Sequence, residues 1–385
     1  MKLKISTELF KRLLERVIKI VPARATFPIL QNVYVACDDE NFSIYATDLD
    51  FWCYTEKYLG KDNIKMKGEA VVFGRKLLEN LREISEPLLE VSLEENNFSL
   101  RTSKGEYQFI TVPPEDFPKI TVPPEDFPKR EDLPTENSFS FDNRLLIEMF
   151  EKTGFCVSKE MTRPALTGVL LEVRENELRF VGTDGYRLAL YKKKIELGIN
   201  RNISLIIPPT AFELLLEDIK EVKIYFDDTR IGFEYDLEGE KYFFISRLIE
   251  GPFPDYEKAI PTAEDNYYTF EVDDFLKSLK RVSIFSRVED KTRMVILSLK
   301  EEAIKLFSES PEVGKGSEKI SGRYVGEEME VAFNAVYLQE ILSKVDSEKA
   351  TIYFTSPTSA MKIVPSEIKG DEEIFYLLMP MHYER

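Results

Sequence analysis

A chain of 385 residues, 43% hydrophobic and 31% charged, holds apolar material for two to four domain cores of ordinary size. No apolar run in it approaches the roughly 20 residues that cross a bilayer. The formal net charge of −17 excludes binding to nucleic acid through overall basicity, so any phosphate contact has to come from a local basic face.

The first residues, Met1-Lys2-Leu3-Lys4-Ile5-Ser6, alternate as a strand and lack the apolar core of a signal peptide. A helix follows, with Leu9, Leu13, Leu14, Val17 and Val21 on one face. Its other face carries Lys11, Arg12, Arg16 and Lys19 against Glu8 and Glu15, with Arg24 just beyond. Val33–Ala36, an acidic turn (Asp38, Asp39, Glu40, Asn41) and Phe42–Asp48 read as a hairpin of two alternating strands. A second helix is expected over Arg75–Ile84, with Leu77, Leu78 and Leu81 in its stripe. The strand Tyr107-Gln108-Phe109 precedes Pro113, and Tyr107 and Phe109, two apart, share one sheet face.

Then comes a direct repeat: Ile110–Lys119 reads ITVPPEDFPK, and Ile120–Lys129 reads the same ten residues again. One copy is expected to end the last strand of the first domain, and the other to lie in an extended, solvated linker. Added loop length of this kind costs little.

The pattern recurs. Val169–Val173 leads through Arg174–Glu177 to Leu178–Asp184, a helix is expected over Pro209–Ile219, and Tyr242-Phe243-Phe244 precedes Pro252. In the third stretch Phe275, Leu276, Leu279 and Val282 form a helical stripe, with Lys277, Lys280 and Arg281 off it and Ile284-Phe285 following. Val295–Leu299 leads to Ile304–Glu309, a helix is expected over Ala335–Val345 (Val336, Leu338, Ile341, Leu342), and Phe375–Leu378 precedes Pro380. The interval from Thr47 to Thr183 exceeds that from Thr183 to Ser308, and one copy of the ten-residue repeat accounts for nearly all of the excess.

Three like domains in a row, each with antiparallel hairpins and two helices, make an α+β chain. The linkers fall near residues 119–137 and 250–258. A basic helix face occurring twice is either a solvated face or a phosphate-facing wall. Open sheet edges at the two ends would pair: Tyr107 and Phe109 of one copy with Ile284 and Phe285 of another, made twice, close a two-fold ring.

An enzyme is the rival reading. His382 is the single histidine and lies in a tail, which argues against a His-based triad or metal site. Cys37, Cys53 and Cys156 have no C-x-x-C spacing and look like reduced thiols of a cytoplasmic protein. Gly182-Thr183-Asp184-Gly185 is not G-x-G-x-x-G, and Val313-Gly314-Lys315-Gly316-Ser317 is not a P-loop but is expected to be a flexible loop. The carboxylate pairs Asp48/Asp50, Asp227/Asp228 and Asp273/Asp274 suit turns or helix starts. A carboxylate-only metal hydrolase and a non-ring scaffold that binds peptides remain the alternatives, the latter separable by oligomeric state.

Five segments in order carry a resemblance: Phe27-Pro28-Ile29-Leu30, Ala46-Thr47-Asp48-Leu49-Asp50, Thr183-Asp184-Gly185-Tyr186-Arg187-Leu188-Ala189, Gly251-Pro252-Phe253-Pro254-Asp255-Tyr256 and Met379-Pro380-Met381. Over its whole length the chain resembles the bacterial DNA polymerase III beta subunit, the DNA sliding clamp family. The resemblance implies three tandem clamp domains (1–129, 130–254 and 255–385), with sheets outside and helices inside, in a head-to-tail homodimeric ring around duplex DNA. It implies no catalytic residues, no cofactor and a cytoplasmic, nucleoid-associated protein. DNA would face Arg24, Lys11, Arg12, Arg163, Lys277, Lys280 and Arg281, although the aromatic pair expected after Arg163 is replaced by Pro164-Ala165.

The implied dimer interface is Tyr107 and Phe109 against Ile284 and Phe285. A pocket for a short linear peptide of the replicative polymerase, clamp loader and repair proteins would be lined by Leu166, Thr183, Gly185, Tyr186, Arg187, Leu188, Pro254, Leu377, Met379, Pro380 and Met381. There Met supplies adaptability, and Arg187 would orient peptide carbonyls or carboxylates. The tail His382-Tyr383-Glu384-Arg385 departs from the family's usual ending and would reshape the pocket's rim.

Overall fold

The structure is a computed structural model that describes residues 1–115, 117, 137–174, 176–197, 202–215, 217–286, 293–300, 304–368 and 370–382. One order of elements runs through three repeats, with one strand fewer among the described residues of the second. The first repeat holds β1 (Lys2–Ser6), α1 (Thr7–Val17), β2 (Asn32–Cys37), β3 (Asn41–Thr47), β4 (Phe51–Tyr58), β5 (Ile64–Met66), β6 (Gly68–Phe73), α2 (Gly74–Glu83), β7 (Leu88–Glu94), β8 (Asn97–Arg101) and β9 (Glu106–Ile110). The second holds β10 (Ser138–Asp142), α3 (Asn143–Thr153), β11 (Val169–Arg174), β12 (Glu177–Thr183), β13 (Arg187–Lys194), β14 (Ile203–Ile207), α4 (Pro209–Glu213), β15 (Glu221–Phe226), β16 (Arg230–Leu237) and β17 (Glu240–Arg247). The third holds β18 (Asn266–Glu271), α5 (Val272–Val282), β19 (Met294–Leu299), β20 (Lys305–Ser310), β21 (Gly314–Lys319), β22 (Arg323–Val325), β23 (Met329–Asn334), α6 (Ala335–Leu342), β24 (Lys349–Phe354), β25 (Met361–Pro365) and β26 (Glu372–Leu378).

Local chemistry sets the helices. Ser6 caps α1 by accepting the Leu9 amide, and Asn334 caps α6 by accepting those of Val336 and Tyr337. Asp273 and Asp274 open α5 while Lys280 and Arg281 close it, the order that the helix dipole favours. Three expectations need correction. Phe10, edge-on to Phe42 at 5.1 Å, fills the α1 core position that Leu9 was expected to hold, and Leu9 is half-buried. The helix expected over Pro209–Ile219 stops at Glu213, because the Leu215 amide bonds three residues back to Phe212 and tightens the last turn. The expected Gly-Lys loop is strand β21, paired along its length with β20.

By compactness the chain falls into two units. One unit (Met1–Leu146 with Thr210–Leu248) holds a five-stranded sheet, β5-β1-β7-β8-β9, and an eight-stranded one, β10-β15-β16-β17-β4-β3-β2-β6. The other (Ile147–Pro209 with Ile249–Arg385) holds a nine-stranded sheet, β14-β11-β12-β13-β26-β25-β24-β18-β22, and a four-stranded one, β21-β20-β19-β23. Every pairing is antiparallel. The large sheets run through the repeats: β17, the last strand of the second repeat, pairs with β4 of the first, and β26, the last of the third, pairs with β13 of the second. Each unit also packs helix on helix, α1 with α2 and α5 with α6.

The first copy of the ten-residue repeat begins on the last residue of β9. It continues with the Val112 amide bonded to Val71 and with Phe117 buried 5.9 Å from Tyr34. The second copy, 120–129, lies outside the described residues, as does the tail from Tyr383 onward.

Candidate functional site

The turn between β12 and β13 is built by two short side chains. Thr183 Oγ1 donates to the Arg187 carbonyl at 2.6 Å and accepts the Gly185 amide at 3.1 Å. Asp184 Oδ1 accepts the amides of Tyr186 (2.9 Å) and Arg187 (3.0 Å). Gly185 sits at φ +91°, where a side chain is strained. The tight turn leaves Tyr186 projecting, 60% exposed.

Beneath it lies an apolar floor. Leu188 stands opposite Leu377 in the β13·β26 pairing, and both belong to a buried cluster with Leu170, Val181, Leu190, Ile206, Tyr256 and Phe375. Ala165, Ile249, Phe253, Ile260 and Val364 pack on it half-buried. Leu166, at the short 3-10 turn Pro164–Thr167, is buried, next in the chain to Ala165. Pro254 and Met379 are exposed at the margin, and Pro380 and Met381 are half-buried. The Met379 amide bonds to the Tyr186 carbonyl at 2.8 Å and that of Met381 to the Ala332 carbonyl at 2.8 Å, so this segment is tied down as far as Met381. Tyr256 anchors the Pro254 linker: its hydroxyl donates to Glu172 at 2.7 Å and accepts from Arg179 at 3.2 Å, and burial pushes it up to about 12.

Two arginines stand at this turn. Arg187 is buried and fully engaged: Nε on Asp184 at 3.1 Å, one terminal nitrogen on Glu340, the other on the Phe155 carbonyl at 2.9 Å, and the guanidinium 4.3 Å over the Tyr337 ring. These contacts hold the turn to α6. Glu340, Phe155 and Tyr337 were invisible to motif reading, because sequence spacing gives no sign of contact across so many residues. Arg163, expected to face DNA, is exposed and donates to the Asp184 carbonyl at 3.4 Å, beside Gly185. Its guanidinium therefore stands beside the Thr183–Arg187 turn.

Of the other basic residues, Lys11 pairs with Glu8, and Arg12 is committed to Glu240 of β17. The hydrogen bond to Glu240 raises the guanidinium's already high pKa. Arg24, Lys277, Lys280 and Arg281 are exposed, with Lys277 4.0 Å from Asp273 and Arg281 2.6 Å from Glu318. At the sheet ends Tyr107 and Ile284 are 38% and 63% exposed, while Phe109 and Phe285 are half-buried. The three cysteines are free and buried, and burial pushes the Cys53 thiol up to about 12. Among the described residues no cluster of His, Cys, Asp and Glu could hold a metal, and no helix is long and apolar enough to cross a membrane.

Three profiles of one family match the chain end to end: the DNA polymerase III beta subunit N-terminal domain (residues 1–121), central domain (140–255) and C-terminal domain (257–382). The beta sliding clamp of Bacillus subtilis is 28% identical over 395 residues, covering 99% of both chains, and that of Pseudomonas aeruginosa is 26% identical, covering 98% of both. The crystal structure of the DNA polymerase III subunit beta from Pseudomonas aeruginosa superimposes with a TM-score of 0.89 at 26% identity over all of both chains. The sliding clamp of Bartonella birtlesii, solved bound to griselimycin, gives a TM-score of 0.88 at 28% identity over all of both.

Proposed function

Because the chain belongs to the bacterial DNA polymerase III beta subunit family, the DNA sliding clamps, we propose that two copies of it close head to tail into a ring around duplex DNA and carry partner proteins along it. Such a clamp is a processivity factor with no catalysis of its own.

The observation that carries the ring is the way the sheets join. In both joints within the chain, the last strand of one repeat (β17, β26) pairs with the third hairpin strand of another (β4, β13). The unused last strand is β9 and the unused third strand is β21, each at the end of its sheet. They belong to the first and third repeats, so a second copy completes the rule, with Tyr107 and Phe109 meeting Ile284 and Phe285. Phosphate contacts in such a ring need only be weak, because phosphate binding alone gives roughly 10⁻⁴–10⁻⁶ M at physiological salt, and the link to DNA is topological. Arg24, Lys277 and Lys280 are the exposed cations that fit that wall, and an acidic remainder limits stray binding. A cytoplasmic place beside the nucleoid follows from that role.

The floor of Leu188, Leu377 and Leu166, rimmed by Tyr186, Pro254, Met379 and Arg163, suits a short peptide with one or two large apolar side chains. The replicative polymerase, the clamp loader and repair proteins are the expected carriers.

The deciding experiment loads the protein with its loader and ATP onto nicked circular plasmid, then linearises half of the sample. Co-elution with the circle and loss from the linear form is the expected result. Equal retention on both would discard the ring. A monomer that still binds peptide would favour the scaffold reading.

A further inference from the structure

The helices α1, α3 and α5 are each 11 residues long and open the three repeats. Aligned end to end, they place Arg16, Lys152 and Arg281 at one position, the last but one. In the first two repeats this cation crosses to the next repeat. Arg16 lies 3.8 Å over the ring of Tyr242 and 3.5 Å from Glu240, both on β17, with 12% of its side chain exposed. Lys152 donates to the Lys344 carbonyl at 2.6 Å and pairs with Asp346, with 10% exposed. A cation is buried at such a joint only when partners across it satisfy the charge.

Arg281 has no next repeat in its own chain. Its side chain is 58% exposed, and it bonds to Glu318 of β21 at 2.6 Å and Ser278 at 3.2 Å. Resting on the head-to-tail pairing proposed above, we infer that Arg281 is a ring-closing residue whose aromatic partner is Tyr107 of a second copy. The core-facing row of the eight-stranded sheet runs Tyr235, Tyr242, Thr55, and the ring of Tyr242 receives Arg16. The matching row of the five-stranded sheet runs Leu3, Val91, Leu100, Tyr107 and ends there, at an aromatic ring on the open edge.

The carboxylate has changed sides. On β17 it is Glu240, beside the ring. On β9 the acidic residue, Glu106, alternates to the opposite face from Tyr107. The acid is instead Glu318, on β21 opposite the core residue Leu306 and already bonded to Arg281. Phe285 lies against Gly316 of the same strand, where a Cβ would collide with its ring. Arginine, carboxylate and tyrosine thus reappear as a triple split between two copies. The assignment takes Arg281 off the DNA-facing wall and leaves Lys277 and Lys280 there.

The test is sedimentation of the full chain over a dilution series, for the wild type, Arg281→Ala, Tyr107→Leu and the double variant. Each single change should weaken the dimer about fivefold, and the double variant should be weaker by much less than the product, because both changes remove one cation–ring contact. Multiplying effects, or an Arg281→Ala dimer as tight as the wild type, would overturn the inference while leaving the ring intact. A wild type that stays monomeric throughout would instead overturn the pairing itself. At concentrations where every variant is dimeric, Arg281→Ala should also leave the salt dependence of DNA binding unchanged. A slope reduced by about one would return Arg281 to phosphate contact.

Discussion

At Thr47–Phe51 and at Thr183–Arg187 the chain makes one turn twice. Thr47 Oγ1 donates to the Phe51 carbonyl at 2.7 Å and accepts the Leu49 amide at 3.0 Å, as Thr183 does for Arg187 and Gly185. Asp48 accepts the amides of Asp50 and Phe51 as Asp184 accepts those of Tyr186 and Arg187. Even the left-handed residue is kept, Leu49 at φ 83° and Gly185 at φ 91°. What differs hangs off this common backbone. After the first turn come Phe51, buried, and Trp52, packed with Phe243 on Tyr225 and Ile245. After the second come a buried arginine that braces α6 and a leucine floor ringed by exposed Tyr186, Pro254 and Met379. The scaffold is shared and the use is set by the side chains. In the third repeat, beside the open β21 edge, the scheme is gone: Ser308 bonds to Met294 and Ser310 accepts the Val313 amide.

Arg187→Ala should do the most damage, because it leaves Asp184 without its cation and the Phe155 carbonyl without a donor. A loss of about 3 kcal/mol is expected, read as a lower urea midpoint for the second unit. The partner peptide should bind on the order of tenfold more weakly as the turn loosens. An unchanged midpoint would mean that the network is ornamental. Asp184→Asn keeps the oxygen that accepts both amides but removes the charge facing Arg187, for a loss of about 1–2 kcal/mol by the same readout.

Smaller again is the pair at the left-handed position. Gly185→Ala should cost about 1 kcal/mol from backbone strain and displace Arg163, whose guanidinium nitrogen is 3.1 Å from the new Cβ. Leu49→Gly relieves that strain but frees the unfolded chain, so its stability should stay within about 0.5 kcal/mol of the wild type. A Gly185→Ala variant as stable as the wild type would show that the turn absorbs a side chain there without strain.

The threefold order of strands and helices was legible because alternation and helical spacing are local. The turn residues were legible because Thr, Asp and Gly have few other reasons to stand in that order. The partners of Arg187 were not, since Phe155, Tyr337 and Glu340 come from two distant elements with no periodic signal. The same holds for Arg12, which looked like a free cation on a basic face until β17 brought Glu240 to it. Sequence also gave no sign that strands of neighbouring repeats pair, β17 with β4 and β26 with β13, because strand pairing through a joint depends on edges that no single repeat records. The length of α4 was misread for a smaller reason: a three-residue return bond at Leu215 ends a helix whose apolar pattern continues through Ile219.

The finest separation of the two turns is electrostatic. Among the described residues no arginine pairs with the Asp48 carboxyl, and burial raises its pKa above the ordinary value despite the amide hydrogen bonds it accepts. A carboxyl raised in the fold holds its proton longer there than in the unfolded chain. Its contribution to stability is therefore largest below the unfolded value of about 4 and is lost as pH rises through the raised folded value. Asp48→Asn keeps the acceptor oxygen and removes the ionisation, so it should raise the midpoint slightly at pH 7. That advantage should shrink to nothing in acid, where Asp48 is itself protonated. The same change at Asp184 has the opposite sign at pH 7, because there the charge is answered by Arg187. Midpoints of both variants and the wild type at pH 7 and near pH 4 check this. If Asp48→Asn lowered stability at pH 7, the ionised carboxylate would be what the first turn needs, and the two turns would differ in shape rather than in charge.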